Sequence, residues 1–252
     1  MKKIAFILML LATFTTSAQN EAIFDRATEA YNSGEYQTAV DNYLEILENG
    51  KHSPELYYNL GNAYYKLNQI APSIYYYEKA LLLKPNDSEI KNNLSYARIM
   101  TLDAIETIPE TGFAKIYNSL LGFLSFDQWS YVAVVFMVLF VLLYIAFYYF
   151  RYSSRKRSAF VLGIISLFIA IVSFVFAYLE YSAFKADRPA IVFAQESSVK
   201  SEPNKMSQEA FALHEGTKVI VLDELNDWKK IRIADGTIGW IPSEDIKILK
   251  DF

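Results

Sequence analysis

The side chains that most often do chemistry at neutral pH are scarce and scattered in this sequence. It contains two histidines and no cysteine. His52 and His214 lie in segments of different texture and have no partner nearby in sequence, so neither a metal site nor a catalytic pair is expected. The sequence contains no phosphate-binding loop, nucleophile elbow or zinc motif. The pattern predicts a protein that is not an enzyme and has no cofactor or metal.

Charge and composition narrow the possible partners. The formal net charge is −4, whereas a nucleic-acid-binding domain usually carries a basic surface, so no nucleic acid is expected. The lack of cysteine excludes disulfide scaffolds and thiolate metal sites.

Aromatic and small residues recur at a fixed spacing. Shifting residues 20–53 by 34 positions places them on residues 54–87. Small residues then coincide where paired helices approach closely, and bulky residues coincide where the pair fills its core. The coinciding pairs are Ala27 with Gly61, Tyr31 with Tyr65, Tyr36 with Ile70, Ala39 with Ser73, Tyr43 with Tyr77 and Leu47 with Leu81.

The second of these units, which closes with Lys84-Pro85-Asn86, resembles the tetratricopeptide repeat. The first unit departs from the family pattern at Arg26 and Ala30. The resemblance implies helix pairs at 19–53 and 54–87. Two repeats are few for an independent solenoid, so support from the membrane-proximal segment or from a partner is expected.

The resemblance also implies a ligand groove lined by the first helix of each pair. Asn62 matches a position at which related arrays bond a peptide backbone. Tyr58 and Asn92 stand where some members carry the basic residues that clamp a carboxylate, which implies a peptide or helix ligand without a charged terminus. The alternative is that the tyrosines pack between repeats. The candidate groove residues are Phe24, Thr28, Tyr31, Tyr58, Asn62, Tyr65 and Asn92.

Two charge-free apolar runs follow, at 131–150 and 159–179. Each is long enough to cross a bilayer as a helix, because about 20 residues at 1.5 Å each span the hydrocarbon core. Neither run has the polar stripe of a buried core helix, and the lack of ionisable residues predicts an anchor rather than a transporter. Ser166 and Ser173 could bond across the helices, although bonding within their own helix is the favoured expectation.

The loop between the runs, 151–158, is basic. It carries Arg151, Arg155, Lys156 and Arg157, so the positive-inside rule places it in the cytoplasm and both flanking segments outside. Residues 1–18 read as a signal peptide cleaved after Ala18, with an uncleaved anchor as the alternative. Aromatic belts are expected at Trp129 and Tyr131 outside, and at Tyr148, Tyr149 and Tyr152 inside.

Two segments connect the repeats to the membrane. A capping helix is predicted from Glu89 to about Met100, with Asp87 or Ser88 as its N-cap. The stretch 113–130 begins with apolar residues at helical spacing. It is predicted to lie along the membrane surface, with packing against the repeats as the alternative.

From Ala190 the sequence changes to short β-like runs, and Asp235-Gly236 predicts a two-residue hairpin turn. The whole segment resembles a bacterial SH3 domain. Trp228, Trp240 and Pro242 align with groove residues of that family, but Ser243 replaces the usual tyrosine. The resemblance therefore implies peptidoglycan peptide or another periplasmic protein rather than a polyproline ligand. Partial burial of the two tryptophans is the alternative.

The complete order of segments resembles the tetratricopeptide membrane proteins of the aerotolerance (Bat) operon of Bacteroidetes. This implies an inner-membrane location, periplasmic N- and C-terminal domains, companions with von Willebrand A domains and a role in stress tolerance. A membrane-anchored scaffold for an envelope complex is the leading prediction, and a peptidoglycan tether or sensor is the alternative.

The fold predicted is a multidomain membrane protein: signal peptide 1–18, α-helical repeats 19–53 and 54–87, capping helix and linker 88–112, juxtamembrane helix 113–130, transmembrane helices 131–150 and 159–179 joined by the loop 151–158, linker 180–189, and an all-β SH3-like barrel 190–252.

Overall fold

A computed structural model describes residues 19–105, 112 and 120–250 of the chain. The predicted signal peptide and residues 113–119 of the predicted juxtamembrane helix lie outside these residues, and the last residues of that predicted helix, 126–130, belong to the first of the two long apolar helices. The chain forms two compact units. The first combines the N-terminal part of the chain with the part that begins at Arg188, and the second lies within Pro109–Asp187.

Five helices form the N-terminal part of the first unit. Helix α3 begins at Pro54, where a missing N–H costs little, and the Ser53 side chain caps it by accepting from the Leu56 amide. Helix α5 is capped by Asp87, one of the two predicted candidates, whose carboxylate accepts from the amides of Glu89 and Ile90. The helices are α1 (19–32), α2 (Tyr36–Glu48), α3 (Pro54–Lys66), α4 (Ile70–Leu83) and α5 (Ser88–Ile99).

The packing of these helices explains the recurring small and bulky residues. Tyr43 and Tyr77, which coincide after the 34-residue shift, are both 1% exposed. Gly61 lies under the Tyr77 ring, and the Ser73 hydroxyl donates to the Gly61 carbonyl at 2.9 Å. In the second repeat a large aromatic ring therefore packs over a small residue of the facing helix.

The C-terminal part of the first unit is an antiparallel sheet of seven strands in the order β3-β2-β6-β5-β4-β1-β7. The β-like runs of the sequence, at residues 190–193, 217–222, 228–233 and 237–241, correspond to β1, β4, β5 and β6. Strand β2 is too polar and β7 is too short to stand out in the sequence, and β3 has none of the β-branched residues that favour a strand. The strands are β1 (Pro189–Val192), β2 (Glu196–Lys200), β3 (Glu209–His214), β4 (Lys218–Leu225), β5 (Trp228–Arg232), β6 (Ile238–Pro242) and β7 (Ile246–Ile248).

The hairpin between β5 and β6 differs from the prediction. The Ile233 amide donates to the Thr237 carbonyl, so the loop comprises residues 234–236 instead of a two-residue turn. Gly236 has φ +87°, the left-handed conformation that favours glycine, and the Asp235 carboxylate accepts from the Thr237 amide. The turn residues were recognised correctly, but they do not by themselves fix the loop length.

The barrel packs directly on the repeat array. Ile191 and Leu249 of the barrel are fully buried in the same apolar cluster as Ile74 and Tyr75 of α4. The Tyr75 hydroxyl donates to the Ile248 carbonyl at 3.2 Å. We call this contact the array–barrel interface. It provides the support that a two-repeat array requires, which had been expected from the membrane-proximal segment or a partner.

A buried carboxylate links three elements in the array–barrel interface. The Glu78 side chain of α4 is 6% exposed and pairs with Arg98 of α5 and with Lys218 of β4, the latter at 2.8 Å. Because both cations reach it, the carboxylate is compensated for its loss of water. This pairing ties the end of the array to the barrel.

Asp103, just after α5, makes the second polar link. Its carboxylate accepts from the His214 amide at 2.8 Å, the Thr217 hydroxyl at 2.6 Å and His214 Nδ1 at 2.7 Å. Burial alone would raise the pKa of Asp103, but the hydrogen bonds from Thr217 and His214 outweigh it and lower the pKa. The hydrogen bond to Asp103 raises the pKa of His214. The segment after the array is thereby fixed to the turn between β3 and β4.

The second unit contains α6 (Phe126–Tyr149) and α7 (Ser153–Ala186), both long and apolar enough to cross a membrane. Both helices extend beyond the predicted charge-free runs. Helix α6 begins at a capping box on Ser125, and α7 includes Arg155, Lys156 and Arg157 in its first turns. The apolar composition predicted the membrane-spanning parts of the two helices. It did not predict the polar turns by which the helices extend beyond those parts.

Small residues line the face of α7 that packs on α6. The Ser166 hydroxyl donates to the Phe136 carbonyl of α6 at 2.7 Å, so it bonds across the helices and not within its own helix. Ser173 is also buried. Close approach through small residues is the usual basis of helix association in membranes. The residues of this face are Ala159, Gly163, Ser166, Ala170, Ser173 and Ala177.

Candidate functional site

A network of hydroxyl and amide groups joins α3, α4 and α5 on the predicted groove side of the array. The Tyr77 hydroxyl donates to Asn62 Oδ1 at 2.6 Å, and Asn93 Nδ2 donates to the same oxygen at 2.9 Å. Asn93 Nδ2 also donates to the Tyr58 hydroxyl, which in turn donates to Glu89 at 2.7 Å. The network holds the groove side chains of three helices in fixed positions.

A cavity of about 230 Å³ opens beside this network. Its walls are mainly tyrosine rings and asparagine amides, with one cation, Lys66, among them. Such a lining offers large contact area and uncharged hydrogen-bonding groups. The lining residues are Tyr31, Asn62, Tyr65, Lys66, Tyr77, Asn93 and Tyr96.

The hydroxyls of Tyr31, Tyr58 and Tyr77 remain protonated at neutral pH, because the pKa of each is raised. Burial, followed by the hydrogen bond to Glu89, raises the pKa of Tyr58 to about 12. Burial also raises the pKa values of Tyr31, Tyr43 and Tyr77. The groove therefore presents neutral hydroxyl groups, which suit a peptide backbone or a polar side chain.

The structure brings most of the predicted groove residues of the array together. Tyr31, Asn62 and Tyr65 line the cavity, and Tyr58 joins its network. Phe24 and Thr28 of α1 lie beside Tyr43, with the Thr28 and Tyr43 hydroxyls 3.0 Å apart.

Asn92 is exposed, and its neighbour Asn93 enters the network instead. In the sequence the two adjacent asparagines are indistinguishable, because only the rotation of α5 decides which of them faces the groove. Lys66, Tyr77 and Tyr96 were also missed as groove residues, and the 34-residue repeat had marked Tyr77 only as core.

The three predicted groove residues of the barrel share one face of the sheet. Trp228 of β5 is directly opposite Pro242 of β6, and Trp240 is opposite Lys230. Ile231 and Ile241 are on the opposite face of the same strands and point into the barrel core, each 0% exposed. The two tryptophans are half-buried, so each offers an accessible ring surface on the outside of the barrel.

Neither histidine is isolated in the structure. His52 Nδ1 lies 2.6 Å from the Tyr57 hydroxyl, and His214 is held by Asp103. Within residues 19–105 and 120–250, no three histidine, aspartate or glutamate side chains are grouped as metal ligands. The contacts of both histidines are structural.

Comparison with known proteins identifies two parts of the chain. Residues 54–87 match the family model of the tetratricopeptide repeat, and residues 197–247 match that of the bacterial SH3 domain. Both matches agree with the helix pair and the antiparallel sheet described above. None of the curated proteins compared with the chain matches it.

These matches and the folds define the class of protein. It is a multidomain protein with a helical tetratricopeptide region, two long apolar helices and a C-terminal SH3-like domain. Tetratricopeptide and SH3 domains are typically non-catalytic modules that bind proteins or peptidoglycan, and the groove and the barrel face are the surfaces available for such binding.

Proposed function

We propose that this protein is a membrane-anchored scaffold whose array groove binds partner proteins of an envelope complex. The observation that carries the proposal is the tyrosine- and asparagine-lined cavity held open by the Asn62–Asn93 network. Rigid aromatic side chains provide large interface area at low entropy cost. The resemblance to the Bat operon proteins supports an inner-membrane location, a role in stress tolerance and companions with von Willebrand A domains.

The array–barrel interface supports a membrane hairpin. Array and barrel are parts of one folded unit, although α6 and α7 separate them in sequence. Parts that pack together lie on the same side of a membrane, so the chain between them crosses it an even number of times. This argument fixes the even number of crossings but not their direction. The direction comes from the positive-inside rule, because the four cations at Arg151, Arg155, Lys156 and Arg157 favour a cytoplasmic turn and therefore a periplasmic array and barrel.

A peptidoglycan tether or sensor is the second candidate function. It is favoured by the accessible rings of Trp228 and Trp240 on one face of a bacterial SH3 domain. In a scaffold the array binds the partners, whereas in a tether the barrel binds the wall. The two functions can therefore be separated by altering each surface independently.

Replacing Tyr58 and Tyr65 together by alanine should release partners that co-purify with the full-length protein from native membranes. Removing interface aromatics typically costs about 2 kcal/mol or more each, or roughly thirtyfold in affinity. The matched control replaces Trp228 and Trp240 by alanine and should retain the partners. Circular dichroism must first show that both variants fold. If only the tryptophan pair abolishes capture or binding to wall sacculi, the barrel is the working surface and the scaffold proposal fails.

Fusion proteins should confirm the topology. Alkaline phosphatase, which is active only outside the cytoplasm, should be active when fused after Phe252. It should be inactive when inserted between Ser153 and Ser154, close to the basic turn. The reverse pattern would place array and barrel in the cytoplasm and exclude a periplasmic scaffold.

A further inference from the structure

The outer face of the barrel sheet carries a row in which one aromatic ring lies between two cations. Trp240 of β6 has Lys200 of β2 as its direct neighbour on one side and Lys230 of β5 on the other. The Lys230 ammonium lies 5.9 Å from the centre of the Trp240 ring. Cross-strand neighbours share a face of the sheet, so the three side chains form one row, which we call the Trp240 row.

A second row, which is apolar, lies next to the first. Pro242 follows Trp240 by two residues along β6 and is opposite Trp228 of β5. Residues two apart on a strand are separated by about 6.8 Å and point to the same side. An extended ligand has the same spacing, so two of its side chains that are two residues apart can contact both rows at once.

Cations outnumber carboxylates on this face. Lys230 and Arg232 form no ion pair with any residue that the structure describes. Two carboxylates are nearby: Glu209, at 4.0 Å from the Lys200 ammonium, and Asp223, opposite Lys230 on β4. Asp223 accepts from the amide of its neighbour Glu224. Three cations, Lys200, Lys230 and Arg232, therefore lie on this face against the two carboxylates.

We infer that the barrel face binds an extended acidic peptide segment, with a carboxylate over the Trp240 row and an apolar side chain two residues away against Trp228 and Pro242. The lysines on either side of Trp240 supply the charge complementarity, and Trp228 with Pro242 supplies the apolar contact. The inference rests on the proposed role of the barrel as a binding module, and it specifies what kind of peptide that module takes.

The test uses the full-length protein in detergent and fluorescent probe peptides. In the first peptide aspartate and leucine are two residues apart, in the second asparagine replaces aspartate, and in the third aspartate and leucine are adjacent. The first peptide should bind about tenfold more tightly than the other two, and rising salt should remove the advantage over the asparagine peptide.

Charge reversal then locates the site. Lys230→Glu should abolish the preference for aspartate, whereas Lys91→Glu, the same change at an exposed position of α5, should leave it intact. Equal binding of the aspartate and asparagine peptides, or an unchanged preference in Lys230→Glu, would overturn the inference. Trp228- and Trp240-dependent sedimentation with purified sacculi, without any peptide preference, would assign the face to the cell wall instead. None of these results depends on partner capture by the array.

Discussion

Replacing Gly216 by valine should detach the barrel from the repeat array. Gly216 lies in the turn between β3 and β4, and a Cβ atom there would come within 2.8 Å of Thr101 and 2.9 Å of Ile74. Its φ of +86° is also unfavourable for a β-branched residue. Overpacking and backbone strain together should destabilise the docked state by about 3 kcal/mol or more.

The measurement is hydrogen exchange on α4 and β1 in the full-length protein, together with its thermal unfolding. Both elements should lose protection in Gly216→Val before the rest of the barrel unfolds. Gly34→Val is the matched control, because Gly34 has a similar φ of +84° but no atom within 4 Å of a built Cβ. If both variants lose the same stability and α4 keeps its protection against exchange, the packing around Gly216 does not contribute to the stability of the array–barrel interface.

Replacing Gly61 by leucine should unfold the second repeat. A Cβ atom at this position would lie 2.6 Å from the Tyr77 ring, and Tyr77 is 1% exposed and cannot move aside easily. The added side chain should cost roughly 1–3 kcal/mol from overpacking and more if the helices separate. The loss should also displace the Tyr77 hydroxyl from Asn62 and disrupt the groove network.

Circular dichroism melting of the full-length protein checks this expectation. Gly50→Leu provides the control, since Gly50 lies in a loop with no atom within 4 Å of a built Cβ. Its φ of +71° adds backbone strain that the helical Gly61 does not have, so the difference between the two variants is a lower bound on the cost of the clash. An unchanged melting temperature in Gly61→Leu would show that the close packing of α3 on Tyr77 is unimportant.

Local patterns in the sequence predicted the fold of each part. The 34-residue shift identified Gly61 and Tyr77 as facing core positions, and both are buried. Composition located the two apolar helices, and the β-like runs located four strands of the barrel. Helices, strands and repeats are determined largely by the composition and periodicity of short stretches of sequence, and for this reason they could be predicted.

The array–barrel interface could not be predicted in the same way. His214 seemed to have no partner, yet it binds Asp103, 111 residues earlier in the chain. Glu78 is an ordinary surface-type residue in the sequence, and only the approach of Lys218 and Arg98 explains its burial. Tyr31, Tyr58, Asn62 and Tyr65 of the candidate site were recognisable from the repeat. Asn93 and Tyr96 were not, because their position depends on how α5 is rotated against α4.

The discontinuous first unit has a consequence for biosynthesis. Tyr75 and Ile248 bond to each other across 173 residues. At about 5–20 residues per second, the ribosome needs roughly 10–35 s to make the chain between them. During that interval the apolar surface of α4 around Ile74 and Tyr75 has no barrel to cover it. The nascent array is then a client for chaperones, and a truncated product that ends after α7 should aggregate or be degraded while the full-length chain accumulates.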